Sequence, residues 1–274
     1  MKVLDHRLHS DDGEPVAFEP SPNQGGELDP RYLVMHYTAA SSADGSIRWL
    51  TSPDARASAH LVIGRDGSIT QLLPFDRVAW HAGPSRWDGL EGLNRYSIGI
   101  ELCNAGRLER KGDKWCAWFG TAYSDDEIMV ASHPSEDHRC GWHLYTPEQI
   151  EAALEASEAI IRAYDLLDLV GHDDISPGRK VDPGPAFPMD SFRAHLFGRD
   201  KDRPPTYETA ANLNIRTGPG TSHERLSASP LPQGTRLDVV AQQGDWRQVK
   251  VLGGVGGERD IQGWVHGDFI RRAE

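Results

Sequence analysis

Apolar positions in the first two thirds of the chain fall into short runs with two different periods. Tyr32-Leu-Val-Met35 is unbroken and ends at His36, the pattern of a strand buried on both faces. His60-Leu-Val-Ile63 is a second such run. Gly64-Arg-Asp-Gly67 turns it into Ser68-Ile-Thr-Gln-Leu-Leu73, which predicts a hairpin. Ser97-Ile-Gly-Ile-Glu-Leu102 predicts a further strand. Helical spacing begins at Thr146-Pro-Glu-Gln149, where Thr146 suits the N-cap, Pro147 the first turn and Gln149 the closing of a capping box. Ile150, Leu154, Ile161 and Tyr164, with Ala153 and Ser157, then give one face to bury against a sheet. Strands followed by a covering helix predict an α/β domain.

The pattern changes near residue 200. Gly198-Arg-Asp-Lys-Asp-Arg-Pro-Pro205 has no apolar side chain and ends in a proline pair, which predicts a solvated linker. Asn212–Gly220, Thr235–Val240, Trp246–Val251 and Gly263–Val265 are short alternating runs broken by Gly and Pro, the signature of a small all-β barrel. The chain therefore divides into a domain over 1–197, a linker over 198–206 and a barrel over 207–274. Residues 104–142, rich in Trp and charge, form an insertion whose pattern assigns no element.

Charge narrows the classes. With 29 basic and 41 acidic residues the chain carries −12 at pH 7, which speaks against nucleic acid or an anionic membrane as partner. A 38% hydrophobic, 26% charged composition is that of an ordinary globular protein. No run approaches the ~20 apolar residues of a membrane span, so membrane insertion is not expected. The first fifteen residues show acids and histidines where an export signal needs an apolar stretch. That predicts a cytoplasmic location, or release by lysis or a dedicated secretion route. Cys103, Cys116 and Cys140 make an odd number without paired spacing, against a disulfide framework or a four-thiolate zinc site.

The chemistry concentrates in Gly171–Pro185. Its Gly and Pro content predicts a fixed, irregular loop carrying His172, Lys180 and Asp182. A catalytic zinc takes three protein ligands and keeps a position for water. His36, at the end of a buried strand, supplies the missing donor type, and His, His and Asp make an N/N/O set. Taken singly, each has a plain structural explanation: a satisfied strand-end histidine, a loop turn, an acid before proline. Glu101 is an acid inside an otherwise apolar strand, costly to bury unless paired or functional. It can also sit on the solvent face of an edge strand.

The sequence resembles zinc N-acetylmuramoyl-L-alanine amidases over about 30–197. His36-Tyr-Thr38, Ser58–Gly67, Ala79-Trp-His-Ala-Gly83, Asn94–Glu101 and Gly171-His172 through Asp182-Pro-Gly-Pro185 follow one another in that family's order. It looks most like the branch that recycles muropeptides, and more distantly like phage amidases and peptidoglycan recognition proteins. The resemblance implies a mixed central sheet flanked by helices, and zinc bound by His36, His172 and Asp182. It implies hydrolysis of the amide between N-acetylmuramic acid and L-alanine, with peptidoglycan or muropeptide as substrate. Glu101 is then the general base and Lys180 the cation that stabilises the oxyanion. At Ala59 the phage-type relatives carry a catalytic tyrosine, which agrees with Glu101 taking that work. Trp80, His81 and Asn94 are expected to contact substrate, whereas His60 reads as a histidine packed under the site. The alternative is a non-catalytic peptidoglycan-recognition protein of the same fold, which in this superfamily lacks a ligand or base residue.

The tail from Tyr207 resembles bacterial SH3-like domains through Leu213–Gly220 and Gly263-Trp-Val265. Such modules accompany cell-wall hydrolases, and tethering one beside a catalytic domain concentrates it on an insoluble polymer. A lid or spacer is the other reading. Trp246 and Trp264 are expected in the barrel core rather than at a ligand.

Overall fold

The computed structural model describes residues 1–136, 138–198, 206–252, 254–258 and 261–273. Two compact units divide at Phe197/Gly198.

The first unit is built on a six-stranded mixed sheet. Its order is Asp168–Gly171, Tyr32–Tyr37, Ser97–Leu102, Leu61–Ile63, Ile69–Gln71 and Ala17–Phe18. The first four strands run parallel, while Leu61–Ile63 and Ile69–Gln71 form the antiparallel hairpin. Leu33, Met35, Leu61, Ile63, Ile98 and Ile100 are fully buried between the layers, as unbroken apolar runs require.

The Pro147–Tyr164 helix covers this sheet, and its Thr146 cap accepts from the Gln149 backbone N–H. Gln149 does not complete the capping box. Its side chain is buried and donates instead to the carbonyls of Ile63 and Cys103, tying the helix start to two strand ends. The face nearest the sheet is Ala152, Ala153, Ala156, Ala159 and Ile160. Ile150, Leu154, Ile161 and Tyr164 flank it, only partly buried. Small residues at the line of contact let helix and sheet approach closely, so the expected stripe is rotated by about one position.

The 104–142 insertion is ordered. Ala122–Tyr123, Lys114–Cys116, Arg107–Lys111, Arg139–His143 and Ile128–Ser132 form a five-stranded antiparallel sheet in that order. Its small core is Ala105, Leu108 and Ala117 with Trp115, Phe119 and Tyr123 against them. Side chains of the insertion reach the central domain. Trp118 Nε1 donates to Ala39 O at 2.7 Å, and His133 Nε2 lies 2.9 Å from Asp173 Oδ2.

The second unit is a curled five-stranded sheet, ordered Gln262–His266, Trp246–Val251, Arg236–Gln243, Thr206–Thr209 and Ile270–Arg272. Its core is Leu213, Ile215, Ala228, Leu231, Leu237, Val249, Val251, Ile261 and Val265. Trp246 and Trp264 are only half-buried and lie outside that core; Trp246 sits edge-on to His266. The first strand begins at Thr206, and of the expected linker residues 199–205 lie outside the described residues. The three cysteines are free and buried, and no described helix is long and apolar enough to cross a membrane.

Candidate active site

Strand register assembles the site. Parallel pairing sets Glu101 directly beside His36, and residues so paired point to the same face. On the other side Gly171 pairs with Met35, so the chain leaves the sheet at His172, level with His36. Three neighbouring parallel strands thus end at one spot, the edge where open α/β sheets carry their ligands. The Gly171–Pro185 segment is not wholly irregular, because His172–Ile175 forms a single helical turn. Gly171 lets the segment pack closely: a Cβ there would lie 2.1 Å from Asp173 Oδ1 and 2.9 Å from Pro183 Cδ. The segment then folds back, Asp173 N–H donating to Asp182 O at 2.8 Å and the Tyr145 hydroxyl to Pro183 O at 2.8 Å.

This brings three donor atoms together. His36 Nδ1, His172 Nδ1 and Asp182 Oδ2 are mutually 3.0 Å apart, and all three residues are buried. Zinc–ligand bonds of 2.0–2.1 Å in a tetrahedron put neighbouring donors ~3.3 Å apart. His172 Nε2 lies 3.1 Å from Ala82 O and 3.2 Å from Arg179 Nη2, so Nδ1 is the ring nitrogen turned toward the cluster. Two ring nitrogens and a carboxylate oxygen gathered this closely have the donor types and spacing that one cation can share. The residues fit a zinc ion, with three protein donors and room in the set for a fourth, exchangeable one. Burial pushes His36 down to about 4, with neighbouring His172 adding. Burial alone would raise Asp182, but the two imidazoles outweigh it and hold the carboxyl well below its usual range.

Glu101 is half-buried, yet its Oε2 is sealed from solvent with no hydrogen-bond partner. Leaving such an atom unsatisfied costs ~1–3 kcal/mol, the mark of a group kept for something other than stability. Burial pushes it up to about 8, Asp182 adding to the rise and Lys180 opposing it. Lys180 is half-buried, and its charge bears on both Glu101 and His36.

The other residues read from the sequence fall in different places. Trp80 is 38% exposed. His81 is half-buried, with Nδ1 2.9 Å from His36 Nε2. Asn94 Oδ1 accepts from the backbone N–H groups of His81 and Ala82, at 3.0 and 2.7 Å. His60 is fully buried, donating from Nε2 to Arg77 O at 2.8 Å and accepting from Gly99 N–H at 3.0 Å. Sequence reasoning missed Arg179, which donates to Ala82 O, Pro84 O and Ser176 Oγ and so clamps the His81 turn to the His172 segment. It also missed the insertion's contacts beside His36 and His172. An open groove lined by Pro84, Ser85, Arg86, Glu91, Gly92 and Ile175 runs alongside.

An open α/β sheet whose strand ends gather a three-donor cluster and an unpartnered buried carboxyl has the make-up of a metal-dependent hydrolase. Comparison with known proteins gives the family. The family model for N-acetylmuramoyl-L-alanine amidase matches residues 26–185, more than half of the chain, and the bacterial SH3 domain model matches 211–271. The chain belongs to the N-acetylmuramoyl-L-alanine amidase family. It is 31% identical over 197 residues to the 1,6-anhydro-N-acetylmuramyl-L-alanine amidase AmpD of Salmonella typhimurium, covering 64% of this chain and 87% of that protein. It is 35% identical over 223 residues to the N-acetylmuramoyl-L-alanine amidase AmiD of Escherichia coli, covering 78% and 66%. Among solved structures, a selenomethionine AmpD derivative aligns with TM-score 0.49 and 28% identity, over 72% of this chain and 99% of that one.

Proposed function

We propose that the first unit is a zinc amidase that hydrolyses the bond between N-acetylmuramic acid and L-alanine in peptidoglycan or muropeptides. The observation that carries this reading is the 3.0 Å triangle of His36 Nδ1, His172 Nδ1 and Asp182 Oδ2 beside an unpartnered Glu101 Oε2. Zinc bound by those three residues supplies a Lewis acid that lets an unreactive amide carbonyl and a water react near neutral pH. Glu101 takes the proton from the attacking water and returns it to the departing L-alanine nitrogen. Its sealed position keeps the carboxylate from being quenched by a competing donor. Lys180 supplies positive charge where the carbonyl oxygen becomes negative, an effect worth ~3–4 kcal/mol for a well-placed donor. Trp80 offers an exposed ring to the substrate at the rim. Since neither a donor nor the base residue is missing, catalysis is favoured over recognition alone.

We further propose that the second unit holds the enzyme on wall polymer, supported by its SH3-domain match and by half-buried Trp246 and exposed Phe269, which both pack against the His266 ring. Metal analysis of the purified full chain, with assay of a muramoyl-L-alanine peptide for release of L-alanine-headed peptide, tests the amidase reading. One zinc per chain with release is expected. A zinc-replete protein that binds no metal and releases nothing refutes it.

A further inference from the structure

We propose that His81, set by Ser97 and Gly99, is a positioning residue that decides which nitrogen of His36 is free to bind the metal. The inference rests on the metal reading above and assigns His81 to the support of the site rather than to substrate contact.

Proton positions are linked through three residues. His81 Nε2 lies 3.3 Å from both Ser97 O and Ser97 Oγ. The Ser97 hydroxyl hydrogen is already committed to Leu93 O at 2.6 Å, so both Ser97 oxygens present lone pairs to His81. Nε2 of His81 must therefore carry the ring hydrogen. A neutral imidazole has only one N–H, so His81 Nδ1 is an acceptor. The atom facing it at 2.9 Å is His36 Nε2, which must then be the donor. His36 Nδ1 is left with a bare lone pair, and Nδ1 is the atom that faces His172 and Asp182. The opposite tautomer would put the His81 lone pair against the Ser97 carbonyl and a hydrogen from His36 into the middle of the donor cluster.

The backbone is shaped around this ring. A Cβ on Gly99 would lie 2.5 Å from His81 Cγ and 2.6 Å from Nδ1, so only glycine lets the imidazole lie against the strand. Asn94 fixes the His81 and Ala82 backbone, and His60 holds Gly99 from behind. Ala82 O in turn lies 3.1 Å from His172 Nε2. One turn, His81-Ala82, thus touches both histidine donors. Outer partners of this kind change metal affinity by ~10–100-fold when lost.

The test uses the full chain with zinc as the probe. In metal-free wild type, nitrogen-resolved NMR of the histidine rings is expected to show His36 protonated at Nε2. His81→Leu, with no acceptor, should bind zinc ~10–100-fold more weakly in competition with a chromogenic chelator. His81→Asn, which returns an oxygen acceptor near the Nδ1 position, should recover most of that loss. The proposal is overturned by a His36 protonated at Nδ1, by a folded His81→Leu protein with wild-type affinity, or by His81→Asn falling as far as His81→Leu. Should His81→Leu not fold, the wild-type spectrum and His81→Asn still decide. A wild type that binds no zinc would instead remove the metal reading itself.

Discussion

The two units bury opposite kinds of matter. The second has a core of Leu, Ile, Val and Ala, and its buried polar residue among those described, Thr209, is satisfied by Pro232 O and the Thr235 N–H. The first buries His36, His60, His172 and Asp182 together, beside a carboxyl atom with no partner. Burying charge and lone pairs works against folding unless they are paired or coordinate a metal. A chain tolerates such a cluster where it performs chemistry, whereas a module that acts through its surface has no reason to. The contrast agrees with the proposal that the first unit carries the reaction and the second acts through its surface.

The strongest way to break that contrast is to remove a donor. Asp182→Ala should abolish stoichiometric zinc binding and reduce release of L-alanine-headed peptide to background, as judged by metal analysis and product chromatography. Retained zinc and turnover would detach the buried cluster from the reaction. Glu101→Gln should keep zinc bound while lowering kcat by ~10²–10⁴, the range lost with a general base.

The pH behaviour sharpens the same point. Glu101 must be ionised to accept a proton, and its pKa is raised to about 8 in the metal-free protein, so activity should fall as pH drops through its titration. Bound zinc, being positive, moves that limb to lower pH, and Glu101→Gln should erase it. The stability sign is opposite. The folded metal-free protein keeps a proton that the unfolded chain releases above about 4.5, so this contribution is full below that pH and lost as pH climbs to about 8. Thermal melts of metal-free wild type and Glu101→Gln should therefore diverge over that window, the variant becoming relatively more stable.

The smallest effect on chemistry should come from the other side of the comparison. Removing residues 206–274 should leave turnover of a soluble muramoyl peptide unchanged and lower activity on intact sacculi by up to ~10²-fold, the loss of a tether. Equal activity on sacculi would deny the second unit its attachment role.

Much of the first unit is legible along the chain because its elements are local. The apolar runs ending at His36 and Leu102, the Asp66-Gly67 turn and the Thr146 cap each need only a few neighbouring residues to specify them. The insertion is not legible. Its strands are short and of mixed pattern: Arg107–Lys111 is charged at four of five positions, and Ile128–Ser132 is apolar yet largely exposed, so no period stands out over five residues. Gln149 escapes for a related reason. Its destination is a pair of carbonyls 46 and 86 residues away, which no capping rule contains.

The residue types available for the chemistry are visible without a fold, in a carboxyl within an apolar strand and a His–Asp pair on a Gly/Pro-rich segment. How they meet is a matter of packing. Register placed Glu101 beside His36, the His172 turn brought Asp182 back across the strand ends, and Ser97 met His81 behind the donors. Proton positions depend on distances of about 3 Å between segments tens of residues apart, and hydrogen bonds at that range exist only once the chain has packed.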